Sequence, residues 1–126
     1  MNDLCKKEAV RRLRNYDAQC RAAENLREEL QQLTFDQVTG TLSDSHLKDR
    51  RHLRQRLRQI QVMKLQVERG LSVLTPQQRL ILELMDICRE KGNSDKLCQL
   101  LECELATVYR RRTKALEKFT QALFGA

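Results

Sequence analysis

Twenty-four Lys and Arg against 17 Asp and Glu in 126 residues give a formal charge of +7, and the pI is near 9.5, a balance that suits a polyanionic or acidic partner. Aromatics are only 4%, there is no Trp, and four Gly and one Pro are too few breakers for a strand- or loop-rich chain, so helix is expected nearly throughout. No apolar run approaches a membrane span, and Met1-Asn-Asp-Leu does not read as a signal peptide, so the expected setting is the cytoplasm with no membrane partner.

In chain order, nothing breaks a helix from Leu4 to Leu33. Val10, Leu13, Tyr16, Cys20, Ala23, Leu26, Leu30 and Leu33 recur in steps of mostly three and four, which is one apolar stripe. Residues 34–43 hold Thr, Ser and Gly, so the chain is expected to turn there, with Ser43 or Asp44 capping a second long helix. In that helix Leu53, Leu57, Ile60, Lys64, Val67, Leu71 and Leu74 alternate in steps of four and three, the pattern of a coiled coil or a helical hairpin. Two such helices joined by a short linker fold back most simply as an antiparallel pair. A pair alone buries one stripe each, which is thin for stability. The expectation is therefore a homodimer in which Leu53, Leu57, Ile60, Val67 and Leu71, with Met63 and Leu65 beside them, meet a second copy. The alternative is a monomer in which the first helix packs back on the C-terminal half.

The second helix also carries six basic residues in the eleven of 48–58. This is a solvated face, or else a non-specific phosphate or acidic-protein contact. Residues 1–74 hold 15 Lys and Arg against 10 Asp and Glu, a net of +5, and residues 75–126 hold 9 against 7, a net of +2.

Beyond Leu74 the grammar changes. Thr75 can cap a helix, Pro76 sits where a missing N–H costs nothing, and Gln78 can close a capping box. Leu80, Ile81, Leu84, Met85, Ile87 and Cys88 follow at helical spacing. Gly92 reads as a stop, and Asn93-Ser94-Asp95 can cap a short helix over 96–101. Glu102-Cys103-Glu104 reads as a turn into a long basic helix from Leu105, in which Val108, Ala115, Leu116, Phe119 and Leu123 face one way. Helix, short helix, tight turn and basic helix together are the order of a helix-turn-helix DNA reader.

The run over 97–119, LCQLLECELATVYRRRTKALEKF, resembles region four of bacterial sigma factors, and more closely the sigma-like domain of the ArpU and RinA-like phage late transcription regulators. Composition, periodicity and this resemblance together give the expectation of an all-α chain in which a long helical hairpin for oligomerisation over 1–74 precedes a sigma-region-four-like helix-turn-helix over 75–126. The resemblance implies a sequence-specific DNA-binding transcriptional regulator of a phage or integrated element, and not an enzyme. The partners implied are double-stranded DNA, a second copy and RNA polymerase. On that geometry Leu105, Ala106, Tyr109 and Arg110 reach base edges, Arg110 being the guanine candidate because its fork matches two acceptors. Thr107, Arg111, Arg112, Lys114 and Lys96 hold phosphates and set register. Two departures from the pattern, Glu102 where Gly is usual and Glu104 where Ser or Thr is usual, place negative charge near the expected phosphates.

Two other readings stay open. One is a protein-binding module, an RNA polymerase adaptor or inhibitor that keeps the fold. The other is a small terminase subunit, against which the order of the two halves counts. Catalysis has no motif: there is no Gly-rich phosphate loop, nucleophile elbow or metalloprotease His-Glu spacing. The cysteines, Cys5, Cys20, Cys88, Cys98 and Cys103, are odd in number without a Cys-x-x-Cys pair, and His46 and His52 lack partners at ligand spacing. No metal, disulfide or cofactor is expected, and the last four cysteines read as small buried hydrophobes.

Overall fold

The computed structural model describes residues 3–40 and 44–125. Its elements are α1 (Asp3–Thr39), α2 (Asp44–Ser72), α3 (Pro76–Leu82) continued by a π-helical turn (Glu83–Ile87), α4 (Asn93–Leu101) and α5 (Leu105–Phe124). Among the described residues there is no strand, so the protein is all-α as expected.

α1 runs six residues further than the apolar stripe suggested. The Thr34 hydroxyl donates to the Leu30 carbonyl at 2.9 Å and Thr39 to Asp36 at 3.1 Å, so these Thr side chains bond back along the helix instead of ending it. The stop is Gly40, whose φ of 77° is the left-handed conformation a helix end needs. The proposed cap Ser43 lies outside the described residues.

Two compact units divide the chain, and not at the expected boundary of 74/75: one is Ala18–Lys64, the other joins Met1–Asp17 to Leu65–Ala126. Within Ala18–Lys64, α1 and α2 pair antiparallel. Gln19 Nε2 donates to Met63 Sδ at 3.6 Å, and Arg50 bonds to Gln37 near the turn. Ala23 and Ile60 are buried, and Leu26, Leu30, Leu33, Leu53 and Leu57 are half-buried.

In the other unit, Ala9 and Leu13 of α1, Val67 and Leu74 at the end of α2, Leu82 of α3, and Ala115, Leu116 and Phe119 of α5 form one buried core. Ile81, Leu97 and Val108 form a second core where α3, α4 and α5 meet. Fully burying a side chain of the Leu or Phe kind is worth about 1.5–3 kcal/mol. The Val108 end of α5 is covered by α3 and α4, whereas the Ala115–Leu116–Phe119 face is covered by α1 and α2 together with Leu82 at the end of α3. The compact units therefore do not divide at 74/75. Arg12 donates to Gln66 at 2.9 Å and Tyr16 to Glu68 at 2.8 Å, while the Arg12 guanidinium lies 5.1 Å from the Phe124 ring centre.

Part of the stripe assigned to a second copy is already covered within the chain. Val67 is fully buried inside one chain, Leu71 packs against the same core, and Ile60 is 5% exposed. Of the five residues assigned to a second copy, Ile60 and Val67 are buried within the chain, and Leu53, Leu57 and Leu71 are half-buried. For this unit, the arrangement in which the first helix packs back on the C-terminal helices is the one observed.

α3 begins as its sequence specifies. The Thr75 Oγ1 accepts from the Gln78 N–H at 3.2 Å, and the Gln78 Oε1 accepts from the Thr75 N–H at 3.1 Å, a complete capping box with Pro76 behind it. The next junction differs from expectation. Gly92, with φ 87°, is the N-cap of α4, and α4 starts at Asn93. The Asn93 amide does not cap α4. It donates to the Leu84 and Cys88 carbonyls at 2.8 and 2.7 Å, satisfying the loose end of the π-helical turn.

Candidate nucleic-acid interface

α4 and α5 are joined by Glu102-Cys103-Glu104. Glu102 sits at φ 52°, the only non-glycine with positive φ among the described residues, and its N–H bonds to the Cys98 carbonyl. Glu104 returns to extended backbone, and its carbonyl accepts the N–H groups of Thr107 and Val108 at 3.0 and 3.1 Å, which starts α5. Neither carboxylate caps a helix, and both are exposed.

Burial divides α5 into two faces. Val108, Ala115, Leu116 and Phe119 are buried and Leu123 half-buried, as the spacing predicted. Thr120 is buried as well, its hydroxyl satisfied by the Leu116 carbonyl at 2.6 Å. On the other face Ala106, Arg110, Thr113 and Lys114 are exposed, and Leu105 and Tyr109 are 43% and 47% exposed. The four residues assigned to base edges are therefore all at the surface, on the first two turns of one helix.

The residues assigned to phosphates separate. Thr107, Arg110, Arg111 and Lys114 line one shallow hollow of about 260 Å³. Arg110 Nη2 donates to its neighbour Thr107 Oγ1 at 3.2 Å, and Arg111 makes a long 3.5 Å contact to Gln77 of α3. Neither Arg110 nor Lys114 is ion-paired among the described residues. Lys96 is exposed on α4.

Arg112 does not belong with them. Its Nε and Nη2 donate to Asp86 Oδ2 and Oδ1 at 2.9 and 2.6 Å, a bidentate fork. Asp86 is 0% exposed and lies in the π-helical turn, whose extra residue accompanies its inward position. The hydrogen bonds to Asp86 hold Arg112 charged, against an opposing effect of burial, so its pKa is raised. Arg112 is therefore a structural cation that locks the π-helical turn to α5. From sequence Asp86 carries no such signal, since an acid between Met85 and Ile87 reads as an ordinary surface residue. The only hint was its place within an apolar run.

All five cysteines are free and half-buried, less enclosed than the expectation for small core residues. Cys88 donates to Asp17 Oδ2 at 3.3 Å, and burial, then that carboxylate, pushes its thiol pKa up. Among the described residues no helix is long and apolar enough to cross a membrane. No protein family, curated protein or solved structure matches the chain.

Proposed function

We propose that this protein is a sequence-specific DNA-binding transcriptional regulator of the phage or integrated-element kind. In this reading α3 to α5 form a sigma-region-four-like helix-turn-helix. The observation that carries it is the division of α5. A helix entered through a three-residue turn leaves Ala106, Tyr109, Arg110, Thr113 and Lys114 at the surface, with Arg110 and Lys114 in no ion pair among the described residues, while the opposite face is locked into the core. An α-helix with its side chains, about 10–12 Å across, fits a major groove about 12 Å wide. In this reading Tyr109 and Arg110 meet base edges, and Arg111 and Lys114 meet phosphates around their shared hollow.

A second reading has its own support. Glu102 and Glu104 are both exposed at the turn, beside exposed Leu100 and Leu105, a mixed acidic and apolar rim that suits a protein surface such as RNA polymerase. Association through the hairpin also remains a proposal, resting on exposed Val62 and Leu65 and on Phe35 and Val38 of α1.

The deciding experiment selects bound duplexes from a random library and then titrates Arg110→Ala and Lys114→Ala against the selected site and its single-base variants. Arg110→Ala is expected to flatten preference at one position, a loss of about 1–3 kcal/mol of discrimination. Lys114→Ala is expected to weaken all sequences alike and make the salt slope shallower by about one. If both leave affinity and preference untouched in folded protein, α5 is not the reader and the protein-binding reading replaces it.

A further inference from the structure

The start of α1 carries a charge pattern that the reading helix does not use. Asp3, Lys6, Lys7, Val10, Arg11 and Arg14 recur in steps of three, one, three, one and three, one stripe of a helix. With Asn15, and with Arg112 and Leu116 of α5, they line an open groove of about 600 Å³. Val10 and Leu116 are its apolar members. Arg11 is held at 2.9 and 2.7 Å by Glu8, and Arg112 by Asp86, so neither offers a free charge. Lys6, Lys7 and Arg14 make no ion pair among the described residues, and Asp3 is the one acid in the lining.

The groove adjoins the Leu105–Tyr109 edge of the reading face. Leu105, Tyr109, Arg112 and Leu116 stand at steps of four, three and four, a single strip along α5. Its first two members are exposed, and its last two line the groove. The groove therefore opens one turn beyond Tyr109, about 4.5 Å along the helix axis. A helix that fills a major groove has the bordering sugar-phosphate strands on its flanks. Lys7 and Arg14 lie two helical turns, about 10.5 Å, apart along α1.

We propose that the first four turns of α1 form a phosphate-binding wall beside the reading helix, with Lys6, Lys7 and Arg14 gripping one backbone strand of double-stranded DNA. This deepens the proposed function and rests on it. Here the N-terminal helix belongs to the DNA-binding surface as well as to the packing of the chain.

The test uses the full chain, a labelled random-sequence duplex and a salt series. The variant is Lys7→Gln with Arg14→Gln, which keeps length at two exposed positions, and its melting curve is compared with that of the native protein. The expected result is a salt slope shallower by about two and affinity at 0.1 M salt reduced at least about tenfold, with base preference at a selected site unchanged. Unchanged slope and affinity, while the native chain binds the duplex, overturn the wall and leave the proposed function standing. Failure of the native chain to bind any duplex overturns both. An equal loss of binding to poly-L-glutamate, at comparable native affinity, overturns the assignment to DNA in favour of an acidic protein.

Discussion

Glu102 is the residue where local chemistry and fold conflict. The turn between α4 and α5 needs a left-handed residue, and an L-side chain there costs roughly 1–2 kcal/mol that glycine does not incur. Glu102→Gly is therefore expected to raise stability by about 1 kcal/mol, read as a higher midpoint in urea. An unchanged or lowered midpoint would mean that the Glu102 side chain contributes more than its backbone costs. The substitution also removes an exposed negative charge from the turn, so under the DNA reading duplex affinity should rise with it. Asp86 and Arg112 carry a different lesson at the same scale. A buried carboxylate is tolerable only when its partner is geometrically fixed, and removing one member of such a pair typically costs about 3–5 kcal/mol. The arginine triplet is thus three residues with different occupations. Arg110 is open to a partner, Arg111 leans on Gln77, and Arg112 is consumed by the fold.

Among the elements, α2 and α5 approach unusually closely. A Cβ placed on Gly70 would lie 2.6 and 2.8 Å from two atoms of the Phe119 ring, which is itself fully buried and has no room to swing away. On an isolated helix Gly→Ala stabilises by about 0.8–1 kcal/mol. Here the overlap reverses the sign, since overpacking a well-filled core costs about 1–3 kcal/mol. Gly70→Ala is expected to lower the melting temperature, and Gly70→Ala with Phe119→Leu to recover part of the loss. A melting temperature raised by the single substitution would show that the two helices can separate freely.

For the whole molecule, the core that matters most is built from both ends of the chain. Ala9 and Leu13 come from the first two dozen residues and Ala115, Leu116 and Phe119 from the last dozen, with Val67, Leu74 and Leu82 between. A fragment of residues 75–126 keeps only four of these eight buried side chains, and Phe119 loses the Gly70 surface it packs on. Such a fragment is expected to show no cooperative thermal transition under conditions where the full chain melts in one. A sharp transition in the fragment, followed by circular dichroism, would place the stability in α3 to α5 alone.

What the sequence determined by itself was local. The capping box at Thr75 to Gln78, the three-residue turn and the buried stripe of α5 all follow from residues within two or three turns of one another, where spacing and backbone chemistry decide the outcome. The apolar stripes of α1 and α2 were equally legible as stripes. Their partners were not. A stripe says that a helix will be covered, and hydrophobic burial is non-directional, so Val67 serves a second copy or Phe119 equally well until the chain is folded. The same limit hid the groove of Lys6, Lys7 and Arg14 and the fork between Asp86 and Arg112. A charge's role depends on what stands opposite it in space, and here the opposing residues are 26 positions away for Asp86 and about a hundred for the cations of α1. Only the tertiary structure brought the two ends of the chain to one core, and with them the groove.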